Sequence, residues 1–564
     1  MKYNLITVKK TAILVIIAAI FSFLQLVSTY IFHYNTFKYS PINVGIFNLL
    51  IFITFFIIYF IGGNIVYWII DRCSQPEKVE NNKDSTHGLA YFLVIILGWS
   101  PWLYAFYPGS LWWDMCYEYD QYYGSYRFDS VLQFPAFPTY VMGLLMDIGK
   151  TLFKSDNVGM FLYIILQTLV CAFACTKVIT LLEEIKLNKK IIYSFLLVYA
   201  FFPVFGASVQ SGVNNVLNYG LTLLSCVYIY RIYRQISRNE VTKRIIVSCF
   251  WYINYALLSS LWRKEMVYIY TFISILLIIY CYRVKFRRIS AVLLYGILIL
   301  CLSSAFSERL VVEKLIGQTL NKVNDTKGFS VPLLQVARFV YYHDDLVSDE
   351  EKGILNKSFS YGYDGIRKSY NPNLSDSLIF NFNFKERERN GFYRVYWSFF
   401  KKDPLLFLES LIASSYGYYS ILPNAPKTIN NAPTNGLPGM RLPGLWISLD
   451  PDKQFGNVSG IEYRAETQKL RTLMSDWLAE LEKSLNAFFG FGICTFLMVV
   501  LSSYSYSRSK KLTSVIPYIL PLMLCMVCIA SPVNDYGRYY IGVFYCMPFI
   551  IGITMQSERK KQHA

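Results

Sequence analysis

Charged residues and histidines are scarce in this chain. Only 16% of its 564 residues are Asp, Glu, Lys or Arg, and four are histidines, whereas soluble globular domains have roughly 25% charged residues. This shortage excludes an ordinary soluble enzyme, and long apolar runs along the chain predict an integral membrane protein. No two histidines have the spacing of a metal site, and no Cys-x-x-Cys pair stands in a polar segment.

The excess of basic over acidic residues is the strongest charge signal. Lys and Arg number 54 against 37 Asp and Glu, which gives a formal net charge of +17. The basic residues are concentrated in short loops between apolar runs, as the positive-inside rule describes for cytoplasmic loops. The charge therefore predicts contact with membrane lipids, and we expect no nucleic acid as a partner.

Apolar runs of about 20 residues predict about twelve transmembrane helices. Their predicted bounds are 11–32, 44–70, 89–106, 158–182, 191–205, 216–230, 245–261, 266–282, 291–307, 486–505, 512–530 and 539–555. The weaker run 137–153 is predicted to lie along the outer interface, because only then do the three most basic loops that follow all face the cytoplasm. A true span with a re-entrant partner is the alternative.

This topology predicts an all-α polytopic protein of the cell membrane with both termini in the cytoplasm. The predicted parts are an N-terminal two-helix segment (1–88), a membrane core (89–307) with an external juxtamembrane loop (107–157), an extracytoplasmic domain (308–485) between the ninth and tenth spans, and a C-terminal three-helix segment (486–564). The extracytoplasmic domain is predicted to be mixed but mainly helical, with helices at 331–342 and 348–359. The second of these has acidic residues in its first turn, where the helix dipole favours them.

An aromatic and acidic stretch, Tyr107 to Pro138, follows the third predicted span. It contains Asp114 and Glu118, and carboxylates at a membrane edge are costly unless they have a use. Arg263 and Arg538 are predicted external cations, and an arginine at a helix end can bind a phosphate through two hydrogen bonds.

Two simpler interpretations stay open at this point. The acidic stretch could be a solvated loop, and the two arginines could form ion pairs with neighbouring carboxylates such as Glu265 or Asp535. If the groups do meet, they suit group transfer from a lipid-phosphate donor. A carboxylate would act as general base on an acceptor hydroxyl, and cations or a carboxylate-held metal would stabilise the departing phosphate.

Short motifs follow one another from Leu89 to near the end of the chain. They are Tyr107-Pro108-Gly109, Asp114, Gln121, Leu261-Trp262-Arg263-Lys264, Val331-Pro332-Leu333-Leu334-Gln335-Val336-Ala337-Arg338, Ser531-Pro532 and Arg538-Tyr539, with a weaker Tyr370-Asn371-Pro372 and Asp376. In this order and sidedness the chain resembles a bacterial branch of the GT-C-type membrane glycosyltransferases. That branch has YPG…D…Q, P-L-Q…A-R and S-P…R-Y motifs.

The resemblance implies a GT-C-like fold and an inverting glycosyltransferase. The donor would be a polyprenyl-phosphate-linked sugar, and the acceptor an envelope glycan, lipid or protein. Asp114 would be the catalytic carboxylate, and Arg263 and Arg538 would bind the donor phosphate. Substrate contacts are assigned to Glu118, Gln121, Lys264, Gln335 and Arg338.

Two departures from the family pattern leave alternatives open. Gln133-Phe134-Pro135 replaces a His-His-Pro motif, and Asn214-Asn215 replaces Lys-Asp. No metal ligand is therefore assigned and the cofactor stays unknown, with a divalent metal as one candidate. The alternative functions are a non-catalytic binder of lipid-linked glycans and an envelope polysaccharide polymerase or flippase, although a flippase should carry mid-span charges that are scarce here.

Overall fold

The structure is a computed structural model that describes residues 2–37, 45–73, 87–111, 113–125, 134–320, 329–421, 428–429, 432–433, 460–531, 533–534 and 536–556. In chain order its α-helices are α1 (Lys2–Tyr34), α2 (Gly45–Cys73), α3 (Gly88–Ala105), α4 (Trp113–Tyr122), α5 (Ala136–Leu152), α6 (Asp156–Glu184), α7 (Lys189–Phe201), α8 (Pro203–Val209), α9 (Asn215–Ser237), α10 (Thr242–Trp262), α11 (Met266–Arg283), α12 (Arg287–Leu310), α13 (Ser330–Tyr342), α14 (Asp349–Ser358), α15 (Gly362–Ser369), α16 (Asp376–Asn381), α17 (Glu386–Lys402), α18 (Pro404–Ala413), α19 (Gln468–Phe489), α20 (Phe491–Ser509), α21 (Ile516–Ile529) and α22 (Gly537–Met555). The strands are β1 (Ser110–Leu111), β2 (Ser211–Gly212), β3 (Thr428–Ile429) and β4 (Ala432–Pro433). β1 pairs in parallel with β2, and β3 pairs antiparallel with β4.

Nine helices among the residues described are long and apolar enough to cross a membrane. They are α1, α2, α3, α6, α10, α11, α12 with its π-helical end, α21 with its preceding 3₁₀ turn, and α22. The pair α7–α8, bent by 44°, would be a tenth if it forms one span. Each of the nine overlaps a span predicted from the sequence. The prediction of an all-α polytopic membrane protein is confirmed.

Helix α9 lies inside the bundle. It packs against α6, α10, α21 and α22, and its side chains are buried from Asn215 through Tyr230. A helix that is surrounded by other helices does not face lipid, so it can carry polar residues that a lipid-facing span avoids. This environment explains why α9 is not among the nine candidate spans although a span was predicted at 216–230.

A second hydrophobic core holds together the segment 329–421, which we call the polar helical domain. Its helices α13 to α18 share buried residues that include Leu334, Leu355 and Phe399. The two helices predicted in this segment are confirmed as α13 and α14. Helix α14 begins with a capping box, because the Ser348 hydroxyl accepts from the Glu351 N–H while the Glu351 carboxylate accepts from the Ser348 N–H.

The boundary predicted at 485/486 differs from the helices that form there. The predicted span 486–505 begins inside α19, which continues to Phe489, and the next helix starts at Phe491. The residue between them, Gly490, has φ −55° and ψ 149°, which ends one helix and starts the next in a new direction. The apolar run in the sequence continues through this break and hides it.

A buried ion pair joins the polar helical domain to the end of α1. Arg338 Nη2 lies 2.9 Å from Glu409 Oε2, and both side chains are 0% exposed. Arg338 Nη1 also donates to Asn35 Oδ1 at 3.1 Å, and Glu409 Oε1 accepts from the Phe37 N–H at 2.7 Å. Buried charges are tolerated when both are paired and hydrogen-bonded, so this pair fixes the domain on the bundle.

Replacing Arg338 by alanine should destabilise the protein strongly. The Arg338→Ala variant leaves the Glu409 carboxylate buried without its countercharge, at an expected cost of about 3–5 kcal/mol. We expect a lower thermal midpoint of the purified protein in detergent. Arg367→Ala is the matched control, because the Arg367 side chain is 58% exposed and its pair with Asp344 is at the surface, where such pairs contribute about 0–1 kcal/mol. Equal shifts in the two variants would contradict the structural role of the buried pair.

Candidate functional site

The loop before α4 is held by a second loop that precedes α9. Ser110 in β1 is paired with Ser211 in β2, and its hydroxyl donates to Gln210 Oε1 at 2.7 Å. The Gln167 amide of α6 donates to the Ser211 carbonyl at 2.7 Å. Gly109 has a φ of +130°, and a Cβ there would lie 2.6 Å from a side chain of α6, so only glycine fits. These contacts fix where α4 begins.

Asp114 in the first turn of α4 forms an ion pair with Arg538 in the first turn of α22. Arg538 Nη1 lies 2.7 Å from Asp114 Oδ2, and each residue is only 8% exposed. The guanidinium carbon also lies 5.3 Å and 5.1 Å from the ring centroids of Tyr536 and Tyr539, where the ring faces attract a cation. The carboxylate additionally lies at a helix N-terminus, which favours negative charge.

Glu118 lies one turn beyond Asp114 on α4 and is 1% exposed. Its Oε1 accepts a hydrogen bond of 2.7 Å from the Asn214 amide. Burial, together with repulsion from Asp114, raises the pKa of Glu118 well above its usual value, against the opposing effects of Asn214 and Arg538. Asn214 belongs to one of the two motifs that depart from the family pattern, and here its amide is a donor to a buried carboxyl group.

Arg263 and Lys264 follow α10 and pair with carboxylates. Arg263 Nε donates to Glu265 Oε1 at 2.5 Å, which is one of the ion pairs considered from the sequence, and the Arg263 charge also interacts with that of Arg538. Lys264 Nζ lies 3.2 Å from Glu308 Oε1. The two predicted phosphate-binding arginines therefore lie near each other at one end of the bundle.

The polar helical domain contributes Asp376 to the cluster of charged side chains that Asp114, Glu118, Arg263 and Arg538 form. This half-buried residue is the first of α16, and its charge interacts with those of Arg538 and Asp114. Burial raises the pKa of Asp376 to about 6, with Arg538 lowering it and Asp114 raising it further. The sequence offered Asp376 only as a weak motif match and gave no signal that it would meet Asp114.

The short segment before α22 clamps the polar helical domain to the bundle. The Asn534 N–H donates to the Asn373 carbonyl at 2.9 Å, and Asn534 Oδ1 accepts from the Gly417 N–H at 3.0 Å. The Tyr418 hydroxyl donates to the Val533 carbonyl at 2.8 Å. Because Asn373 lies just before α16 and Asn534 just before α22, this clamp brings Asp376 towards Arg538.

The remaining predicted substrate contacts lie apart from this cluster or have structural partners. The backbone carbonyl of Gln121 accepts from the side chain of Gln318 at 2.9 Å. The Gln335 amide donates to a carbonyl of α18 at 3.1 Å and accepts from the Tyr396 hydroxyl at 2.9 Å. Arg338 is held by the ion pair described above. Substrate binding by these residues, and by Lys264, stays a prediction.

Metal binding stays open. Among the residues that the structure describes, no group of three or more His, Cys, Asp or Glu side chains is arranged to hold a metal ion. Gln133, Pro532 and Asp535, which entered the sequence argument, lie outside the described residues.

Replacing Asp376 by asparagine should stabilise the protein, and more so at higher pH. The pKa of Asp376 rises from 3.8 to about 6 on folding, so its ionisation opposes folding increasingly from about pH 4 through about pH 6. The amide removes this penalty. We expect the Asp376→Asn variant to gain about 3 kcal/mol at pH 7.5 and about 1 kcal/mol at pH 4.5, measured as thermal midpoints in detergent. The exposed Asp364→Asn serves as control, and equal gains at both pH values would contradict the argument.

Comparison with known proteins identifies a family but no activity. Residues 132–564 match the sequence profile of a family of unknown function, DUF6020. The match begins after α4, so it includes Arg263, Asp376 and Arg538 but neither Asp114 nor Glu118. No curated protein matches the chain. The chain belongs to the DUF6020 family.

Proposed function

We propose that the protein is a GT-C-like membrane glycosyltransferase. It transfers a sugar from a polyprenyl-phosphate-linked donor to an envelope glycan, lipid or protein at the outer membrane surface. The observation that carries the proposal is the buried Asp114–Arg538 ion pair, at the junction between the membrane bundle and a polar domain that also brings Asp376 to it. Ionisable groups whose pKa values are strongly shifted, and which converge from distant parts of a chain, are typical of functional sites.

The proposed reaction uses Asp114 as general base. Its carboxylate accepts the proton of the acceptor hydroxyl while the hydroxyl oxygen bonds to the anomeric carbon of the sugar. The bond from that carbon to the phosphate oxygen breaks, and polyprenyl phosphate leaves with the electron pair. Attack from the side opposite to the phosphate inverts the anomeric configuration.

The two arginines would bind the phosphate. Arg538 and Arg263 are near enough for their charges to interact, so a doubly charged leaving phosphate would relieve their mutual repulsion as it forms. Binding of the phosphate to Arg538 would also release Asp114 for the acceptor. Glu118, whose raised pKa favours the protonated acid, would donate a hydrogen bond to a substrate hydroxyl.

We further propose twelve spans with both termini in the cytoplasm. Nine of these spans are the apolar helices named above. The other three are the bent pair α7–α8, the enclosed helix α9, and α20. Helix α5 has 17 residues, fewer than the roughly 20 that a span needs, which supports its position along the outer interface. In this arrangement the basic loops after α6, α9 and α11 face the cytoplasm, and the polar helical domain faces outwards.

A non-catalytic binder of lipid-linked glycans is the second candidate. The observation that favours it is Asn214, which stands where the resembling family has a charged residue and which donates to Glu118. A binder would retain polyprenyl phosphate without turning it over. A flippase or polymerase has no comparable support among the described contacts.

Asp114→Asn should abolish the proposed activity, and it should also lower the thermal midpoint, because it leaves the Arg538 guanidinium buried without its countercharge. Loss of a general base typically lowers turnover by about 10²- to 10⁴-fold. The measurement is the sugar content of the envelope in a strain that lacks the gene and is complemented with each variant at equal protein level. Glu351→Gln is the matched control, because it removes a carboxylate paired with Lys402 at 2.8 Å, away from the cluster, and it should retain activity.

Two outcomes would contradict the enzyme proposal. Unchanged envelope sugar in cells with well-folded Asp114→Asn protein would exclude Asp114 as the base. The second outcome is that the purified parent protein retains polyprenyl phosphate tightly, while the strains complemented with the parent or with Asp114→Asn show no glycosyl transfer. This outcome would favour the non-catalytic binder of lipid-linked glycans.

Cysteine accessibility tests the proposed sidedness. Lys243→Cys and Gly353→Cys are separated by three candidate spans, α10, α11 and α12, so we expect them on opposite sides of the membrane. A membrane-impermeant maleimide should label position 353 in intact cells and position 243 only after permeabilisation. The parent chain, with its own cysteines, gives the background. Labelling of both positions from the same side would contradict the topology.

A further inference from the structure

Helix α19 runs across the end of α3 and not alongside it. Arg471 Nη1 donates to the Ala105 carbonyl at 3.3 Å, and Leu478 packs with Trp102 and Phe106. Arg471 and Leu478 are separated by about 10 Å along the axis of α19. Both nevertheless contact the last turn of α3 or the residue directly after it. Helix α19 therefore lies roughly crosswise at the level where this candidate span ends.

Helix α19 has three distinct faces. The members of each face recur at intervals of three, four or seven residues, as residues on one side of a helix do. The buried face is Arg471 and Leu478, the exposed apolar face is Leu470, Leu473 and Trp477, and the exposed polar face is Lys469, Thr472, Asp476 and Glu480, which lies at the border with the apolar face. One side thus contacts the protein, and the half-exposed Trp477 at its border lies with its ring centroid 6.5 Å from that of Trp102. The exposed apolar face is suited to lipid and the exposed polar face to water.

The exposed apolar face is unusual for a helix outside the bundle. Leu470, Leu473 and Trp477 are 37%, 66% and 50% exposed, which would be unfavourable in water. The neighbouring span α3 exposes Leu97 and Tyr104 in the same way, as lipid-facing residues do. Because α19 contacts the end of α3, the lipid that surrounds α3 would also reach α19.

We propose that α19 is an interfacial helix that lies in the membrane surface at the end of α3. Its partner is the phospholipid bilayer. The Leu470, Leu473 and Trp477 face contacts the acyl chains, and the face with Asp476 contacts headgroups and water. Amphipathic helices bind bilayers in this orientation, and tryptophan is enriched at this depth.

The segment that leads into α19 connects this lipid contact to α4. Ile461 packs in one cluster with Met115 on α4, and the guanidinium carbon of Arg464 lies 4.1 Å from the ring centroid of Tyr107. Asn157 and Glu462 exchange two hydrogen bonds of 2.9 Å. If α4 carries the catalytic carboxylate, which rests on the proposed function, α19 holds that site at the surface where a lipid-linked donor is dissolved.

Photo-crosslinking to lipid tests the position of α19. A benzophenone-bearing amino acid replaces Leu473, Asp476 or, as a lipid-facing reference, Leu97 in the full-length protein. Each protein is placed in nanodiscs of phosphatidylglycerol and phosphatidylethanolamine, irradiated and analysed by mass spectrometry. We expect lipid adducts from position 473 at a yield close to that from position 97, and about tenfold fewer from position 476.

Three results would overturn the proposal. Adducts from position 97 but not from position 473 would place α19 away from lipid, and equal yields at 473 and 476 would remove its orientation. Adducts from position 473 to a second copy of the protein would show that a subunit contact covers this face. The replaced residues are exposed, so melting curves should match the parent. The measurement needs no turnover, so its outcome is separable from the test of Asp114.

Discussion

The buried ion pair between Asp114 and Arg538 is the interaction on which the rest of the site depends. Its two charges come from helices more than 400 residues apart in the chain, and removing either one would leave an uncompensated charge in a low-dielectric environment. Formation of the pair therefore requires α4, α22 and the loops that position them to be in place together. The same requirement explains why these loops are built from close contacts, with Gly109 where no side chain fits.

Two of the ion pairs between residues that the structure describes are buried, and their surroundings differ. The pair of Arg338 and Glu409 is enclosed, because groups at the end of α1 and the Tyr370 hydroxyl bond to both terminal guanidinium nitrogens and to a carboxylate oxygen. Arg338 Nε has no hydrogen-bond partner among the described residues. The pair of Asp114 and Arg538 shares its surroundings with further acids, and burial raises the pKa of both Glu118 and Asp376. Several acidic side chains this close to one another oppose folding. A ligand-binding site accounts for their presence, whereas a contribution to stability does not.

Several helices at this end of the bundle are short or amphipathic and are not among the nine candidate spans. Helix α4 carries the carboxylates, α5 packs beside it, and α19 lies across the end of α3. Such elements are stable at a membrane edge because one side can pack on protein while the others meet lipid and water. They create a polar site immediately beside the apolar bundle, without placing charges at the middle of a span.

The sequence alone determined the parts that depend on local pattern. Length and apolarity predicted about twelve spans, nine of which overlap helices that are long and apolar enough to cross a membrane. The acidic residues in its first turn marked α14, because such signals act within a few turns of chain. The break at Gly490, the placement of Arg338 in a domain joint and the approach of Asp376 to Arg538 were decided only by the tertiary structure. Each depends on which distant segments pack together. That packing is determined by the hydrogen bonds of Asn534 with the polar helical domain and by the burial of whole helices, and not by residues that are neighbours in the sequence.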